Sequence, residues 1–190
     1  MASSTAHAPK LPPIASLPTA PIKTIIGALD TLFEPSTELH TLALPAIQSA
    51  LPSALLSSYE ALIRHIGALL YQLCDSTTPE ARKKLHGILG SHPRLGAKKV
   101  DSAQSQAEQA QLNTGDAEEA EKLNYLNEEY EVKFPGLRYV VFVNGRDRAI
   151  IMDDMHRRID RGDAKEEERE AITAMVDIAL DRTKKLEAAG

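Results

Sequence analysis

The chain has 190 residues, 43% of them hydrophobic, which is enough for one domain with a real core and excludes a disordered chain. There is no Trp and little other aromatic content, so aliphatic side chains must fill that core. A net charge of −5 argues against a nucleic-acid partner, no stretch is long and apolar enough for a membrane span, and a single cysteine excludes an internal disulfide.

Residues 1–20 are rich in Pro, Ala and Ser and read as a flexible lead-in. Residues 21–187 read as one helical domain. Ile22 to Phe33 is apolar at helical spacing and stops before Pro35. Ser36 or Thr37 caps a short helix that Pro45 is expected to interrupt. Ser57 to Cys74 is a long helix, with Leu62, Ile66, Leu69, Leu70 and Leu73 at 3–4 spacing. Thr78-Pro79-Glu80 is a helix start with a capping hydroxyl, a proline in the first turn and an acid at the positive end. That helix runs to Leu89, and Gly90 ends it.

Residues 102–113 read as a further helix. Asp116 caps the next one, which runs to Val132 before Lys133-Phe134-Pro135-Gly136. Tyr139 to Val143 is an apolar, β-favouring run too short for periodicity to decide between strand, extended segment and helix. Asn144-Gly145 is a turn. Arg148 to Arg161 is helical, with Arg157-Arg158 beside Asp153-Asp154 reading as a solvated face. Lys165 to Leu186 is the last helix. The sum is an all-α, single-domain bundle of about eight helices.

Cys74 ends an apolar helical run and reads as a buried structural thiol, since no activating base is identifiable near it. A lone cysteine fits a reducing compartment, and the N-terminus lacks a secretory apolar core, so a cytoplasmic location is expected. A peroxisomal location stays open, although Glu187-Ala188-Ala189-Gly190 carries no peroxisomal tripeptide.

The most informative stretch is His92-Pro93-Arg94-Leu95-Gly96 followed by Ser105, Glu108 and Gln109. On a helix the last three share one face, and an imidazole facing them has the means to bind and protonate a small polar molecule. Taken singly, each has a plainer account. A histidine past a helix end is often just exposed, and Glu-Gln pairs are common on solvated faces. Arg182 falls beside Met175 and Ala179 at the edge of the last helix's apolar stripe, so it either snorkels or faces an anion. The six histidines are scattered without ligand spacing, which sets a metal site aside, and no phosphate cradle or nucleophile elbow occurs.

In combination these residues resemble a family. The run His92-Pro93-x-Leu95-Gly96, then Ser105-x-x-Glu108-Gln109, then Leu126-Asn127-x-x-Tyr130-x-x-Lys133-Phe134, is similar to the OHCU decarboxylases. These act on 2-oxo-4-hydroxy-4-carboxy-5-ureidoimidazoline (OHCU) in urate breakdown. The resemblance extends over about residues 20–187, from Leu32-Phe33-Glu34 to the Arg182 helix.

The resemblance implies an all-helical homodimer that needs no cofactor and converts a small anionic ureidoimidazoline to (S)-allantoin. It implies His92 and Glu108 as the catalytic pair. It also implies Pro93, Ser105, Gln109 and Arg182 as substrate contacts, with backbone groups of Tyr139 to Val141. Two departures stand out: Arg94 replaces a common acid, and Pro135-Gly136 alters the segment after Phe134. The competing readings are a non-catalytic helical interaction module and a decarboxylase of a related ureido acid.

Overall fold

A computed structural model of the protein describes residues 10–49, 56–97, 103–109 and 117–188. Among these, eight α-helices follow one short 3-10 helix, Ile14–Thr19. They are α1 (Ile22–Phe33), α2 (Thr37–Ser49), α3 (Tyr59–Asp75), α4 (Pro79–Leu89), α5 (Ala103–Gln109), α6 (Ala117–Lys133), α7 (Arg148–Arg161) and α8 (Ala164–Ala188). No strand occurs among the described residues, and none of the described helices is long and apolar enough to cross a membrane.

The helix boundaries have local causes. Ser58 accepts from the Ala61 N–H at 3.1 Å, Thr78 from the Ala81 N–H at 3.3 Å and Asp147 from the Ile150 N–H at 2.9 Å. Each hydroxyl or carboxylate satisfies a donor that the first turn leaves open. Gly162 closes α7 in the left-handed region at φ 63°. Asp163 then accepts from the Lys165 and Glu166 N–H groups, both at 3.0 Å, to start α8.

The central pair is α3 against α8, with α1 packed on α8 and α4 beside α3. The pair packs closely at Gly67. A Cβ there would stand 2.8 Å from Val176 Cγ2, so only a glycine admits this helix separation. On α1, Ile25, Ala28, Leu29 and Leu32 are buried at 3–4 spacing, which is the apolar stripe that seats it. Helices α6 and α7 form a second pair.

Three expectations are corrected. Pro45 does not interrupt α2; it lies on the exposed side of a continuous helix, where the Thr41 carbonyl one turn back has access to water. The lead-in is packed from about Pro12 onward: Leu17 is wholly buried, and the Tyr59 hydroxyl donates to the Pro12 carbonyl at 2.7 Å. Arg158 is not on a solvated face. It is buried among Asp154 at 2.8 Å, Glu170 at 2.9 Å and Glu167 at 3.1 Å. The Tyr130 hydroxyl donates to Glu167 at 2.6 Å. A buried charge persists only when it is paired in this way.

Cys74 is buried as expected, with its thiol 3.7 Å from Glu168 Oε2. The expected helix cap at Asp116 lies outside the described residues, as do residue 102 and residues 110–113 of the helix foreseen over 102–113.

Candidate active site

The site begins where α4 stops. Gly90 ends the helix, and the loop that follows carries His92 and Pro93 back toward the core. Three polar ties hold this loop. Arg138 Nη1 donates to the His92 carbonyl at 2.9 Å, and Asn127 Nδ2 donates to the Leu95 carbonyl at 3.0 Å. Arg94 binds Glu131 through two hydrogen bonds of 2.7 Å, the planar fork matching a carboxylate. The departure at Arg94 is thus matched by an acid on α6. Gly96 sits at φ +77° with its missing Cβ only 2.6 Å from Leu123 Cδ2, so the loop's return needs a glycine there.

This arrangement buries the His92 ring. Its Nε2 is enclosed and has no hydrogen-bond partner among the described residues. Burial, reinforced by the positive charge of Arg182 and only partly opposed by Glu34, lowers the imidazole pKa from 6.5 to about 4. At neutral pH His92 is therefore a neutral ring that takes up a second proton only when a reaction hands it one.

Ser105 and Glu108 lie one turn apart on α5, and both end on Arg182. Arg182 Nε and Nη2 donate to the two Glu108 oxygens at 2.7 and 2.8 Å. Nη2 also reaches Glu34 Oε1 at 2.7 Å and Ser105 Oγ at 3.0 Å, while Ser105 donates to Glu34 at 2.6 Å. Nη1 reaches the carbonyls of Thr31 and Leu32 at 3.3 and 3.4 Å. All of the guanidinium's donor nitrogens are thus engaged inside the protein. Burial works against an ionised Glu34. The Arg182 charge and the hydrogen bonds from Ser105 and Arg182 outweigh it and hold that carboxyl below its ordinary pKa.

A cavity of about 230 Å³ opens beside this cluster. His92, Pro93, Ser105 and Glu108 line it, together with the segment from Tyr139 to Gly145. The apolar run left open by periodicity is therefore neither helix nor strand. The N–H groups of residues 139–143 donate to no group among the described residues. The Tyr139 side chain points elsewhere: its hydroxyl donates to Asp154 at 2.6 Å, and Arg158 covers its ring at 4.9 Å.

The structure thus brings together His92, Pro93, Ser105, Glu108, Tyr139 and Val141 around one cavity. Arg182 is not part of the lining; it stands behind Glu108. The Gln109 side chain lies outside the described residues. Three residues were not foreseen at the site. Asp181 and Lys185 line the cavity from α8 and pair with each other at 2.6 Å, and Glu34 sits behind Ser105. Asp181 and Lys185 flank Arg182 within the same turns, so the helix that supplies the arginine carries their signal.

Among the described residues the fold is all-helical, and a neutral imidazole, a carboxylate and the segment Tyr139 to Gly145 line one small chamber. The sequence profile of the family described as OHCU decarboxylase matches residues 18–184. The chain belongs to that family. A crystal structure of (S)-allantoin synthase superposes with a TM-score of 0.58 at 16% identity, covering 91% of this chain and 53% of that one. This likeness speaks to the fold, and the present chain spans about half the length of that protein. No curated protein sequence matches the chain significantly.

Proposed function

We propose that the protein decarboxylates OHCU to (S)-allantoin, without a cofactor, in urate degradation. The observation that carries this reading is the buried, neutral His92, its Nε2 without a partner among the described residues, in the lining of the cavity that Glu108 also lines. Family membership supplies the substrate class.

The substrate brings its own electron sink. As the bond to the carboxylate breaks and carbon dioxide leaves, its electron pair enters the adjacent ring C=N. A ring nitrogen takes up a proton from solvent, and the product at this point is an enol. His92 Nε2 accepts the enol proton, and the ring carbon bearing the ureido group receives one in return. This step makes the carbonyl and sets the stereocentre. An imidazolium in a buried site is short-lived, so the return of the proton is favoured.

Glu108, fixed by two hydrogen bonds, acts as an acceptor for the substrate's hydroxyl or N–H groups. Ser105 and Gln109 read ring and ureido atoms. The backbone donors of Tyr139 to Val143 hold the carboxylate or ring carbonyl. Arg182 contributes by holding Glu108. Orientation is the main contribution, since the leaving carboxylate must stand across the plane of the C=N for its electrons to enter it.

The decarboxylase unit on this reading is residues 21–187, acting as a cytoplasmic homodimer. Light scattering at twice the chain mass supports the dimer, and the monomer mass contradicts it. The function is tested by adding the protein to freshly generated OHCU and following product circular dichroism. Accelerated appearance of dextrorotatory allantoin supports it; a rate equal to buffer rejects it.

A further inference from the structure

We infer that Glu34 is a positioning residue of this site, acting through Arg182 and Ser105 to aim Glu108 into the cavity. The inference rests on the decarboxylase reading and extends it to a residue outside the cavity lining.

Four observations converge on Glu34. Its side chain is only 4% exposed, yet it carries a carboxylate, which a protein core tolerates only when the charge is answered. Among the described residues it is answered by Arg182 Nη2 at 2.7 Å and by Ser105 Oγ at 2.6 Å. Both partners belong to the cluster that ends on Glu108. Lastly, Glu34 holds φ 75° and ψ 152°, a region that is essentially reserved for glycine. Pro35 forces the extended ψ, and the C-terminus of α1 supplies the N–H bond back to Asp30 at 3.1 Å. A glycine would occupy this position without strain. A glutamate there is kept for its carboxylate.

The geometry shows what that carboxylate does. A guanidinium is planar, so fixing two of its nitrogens fixes the direction of the third. The end of α1 does this: Glu34 takes Nη2, and the Thr31 and Leu32 carbonyls take Nη1. The Nε–H and the other Nη2–H then lie in one plane facing Glu108. Charge counts in the same direction. Arg182 with Glu34 is a neutral pair, so Glu108 contributes net negative charge to the cavity. Helix α5 has seven residues, fewer than a helix needs to stand alone, and its Ser105 and Glu108 are both tied to this assembly. Glu34 thus fixes the docking of α5 as well as the aim of its acid.

The test replaces Glu34 by Gln, which keeps size and an acceptor for Ser105 but removes the charge. Turnover of OHCU by the full chain is measured beside wild type, with far-ultraviolet circular dichroism as the folding control. The expected result is a kcat lowered about ten- to hundredfold at a KM within about threefold of wild type, as misaimed catalytic groups give. A folded variant with wild-type kcat overturns the inference, even if its melting temperature has dropped. Should the Gln variant not fold, Glu34→Asp is read in the same assay; it keeps the charge, withdraws the carboxylate and is expected to lose kcat likewise.

The Arg182 Nε–H resonance gives a readout that needs no activity. Slow solvent exchange in wild type and faster exchange in the variant support the inference; fast exchange in wild type, or no change in the variant, overturns it. If wild type itself fails to accelerate OHCU decay, the decarboxylase reading falls, while the exchange experiment still decides what Glu34 orders.

Discussion

Arg182 and Glu108 meet edge-on, Nε to Oε1 at 2.7 Å and Nη2 to Oε2 at 2.8 Å, across 74 residues of chain. This pair joins the last helix to the short helix of the site and leaves the arginine no donor to spend on a ligand. Of the two residues, Glu108 is the one that lines the cavity.

Replacing Arg182 by Met strands two carboxylates, one of them buried. Loss of one partner of a buried pair costs about 3–5 kcal/mol. Urea unfolding is expected to show a loss of that order, with turnover abolished. Arg182→Lys keeps the charge without the planar fork, so it is expected to recover part of the stability and little of the rate.

The pH dependence of stability follows from His92. Its pKa is lowered from 6.5 to about 4 in the folded protein, so the unfolded chain binds the proton more readily between those values. Stability from this group is complete above about pH 6.5 and is lost as pH falls toward 4, by about 3 kcal/mol at full extent. In His92→Asn this contribution is absent. Denaturant midpoints between pH 4 and 7 are expected to fall less steeply in the variant; equal slopes would contradict a buried neutral imidazole.

Gly67→Ala drives a methyl to 2.8 Å from Val176 Cγ2. Overpacking costs about 1–3 kcal/mol, and the better helix propensity of alanine returns up to about 1. The melting temperature is expected to drop by several degrees with kcat unchanged, since the contact lies between α3 and α8 and not at the cavity.

Much of the fold was legible because it rests on local signals. The bounds of α1, α4 and α7 follow from prolines, capping residues and a closing glycine within the segments themselves. Pro45 misled because the strength of a helix breaker depends on which way its face points, and exposure is a tertiary property. The Arg158–Glu167 network misled for a similar reason: charge patterning reads as solvated unless the partners' burial is known. At the site, His92, Ser105 and Glu108 were legible as a motif. Glu34 was legible as part of the Leu32-Phe33-Glu34 helix boundary in the resemblance, with no sign of a place at the site. Its partners lie 71 residues away at Ser105 and on the final helix at Arg182, and no local spacing encodes such a contact.

Lys185 lines the cavity, the one cation among the described residues to do so, and pairs with Asp181 at 2.6 Å. An anionic substrate is expected to draw it away. Lys185→Ala is expected to raise KM about two- to tenfold with little change in kcat, and the difference from wild type is expected to shrink in high salt. Steady-state kinetics at two ionic strengths checks this.

Tyr139→Phe removes the hydroxyl that donates to Asp154 at 2.6 Å while keeping the ring under Arg158. Stability is expected to fall by about 1–2 kcal/mol. Because this phenol is taken up by Asp154, kcat is expected to stay within about threefold of wild type. A much larger loss would assign the hydroxyl itself a part in the chemistry.

The most direct measurement compares wild type with His92→Asn on fresh OHCU, reading decay by absorbance and the handedness of allantoin by circular dichroism. The account predicts rapid formation of one enantiomer by wild type, and racemic product at the buffer rate from a folded His92→Asn. Wild-type rate and handedness in the variant would contradict it.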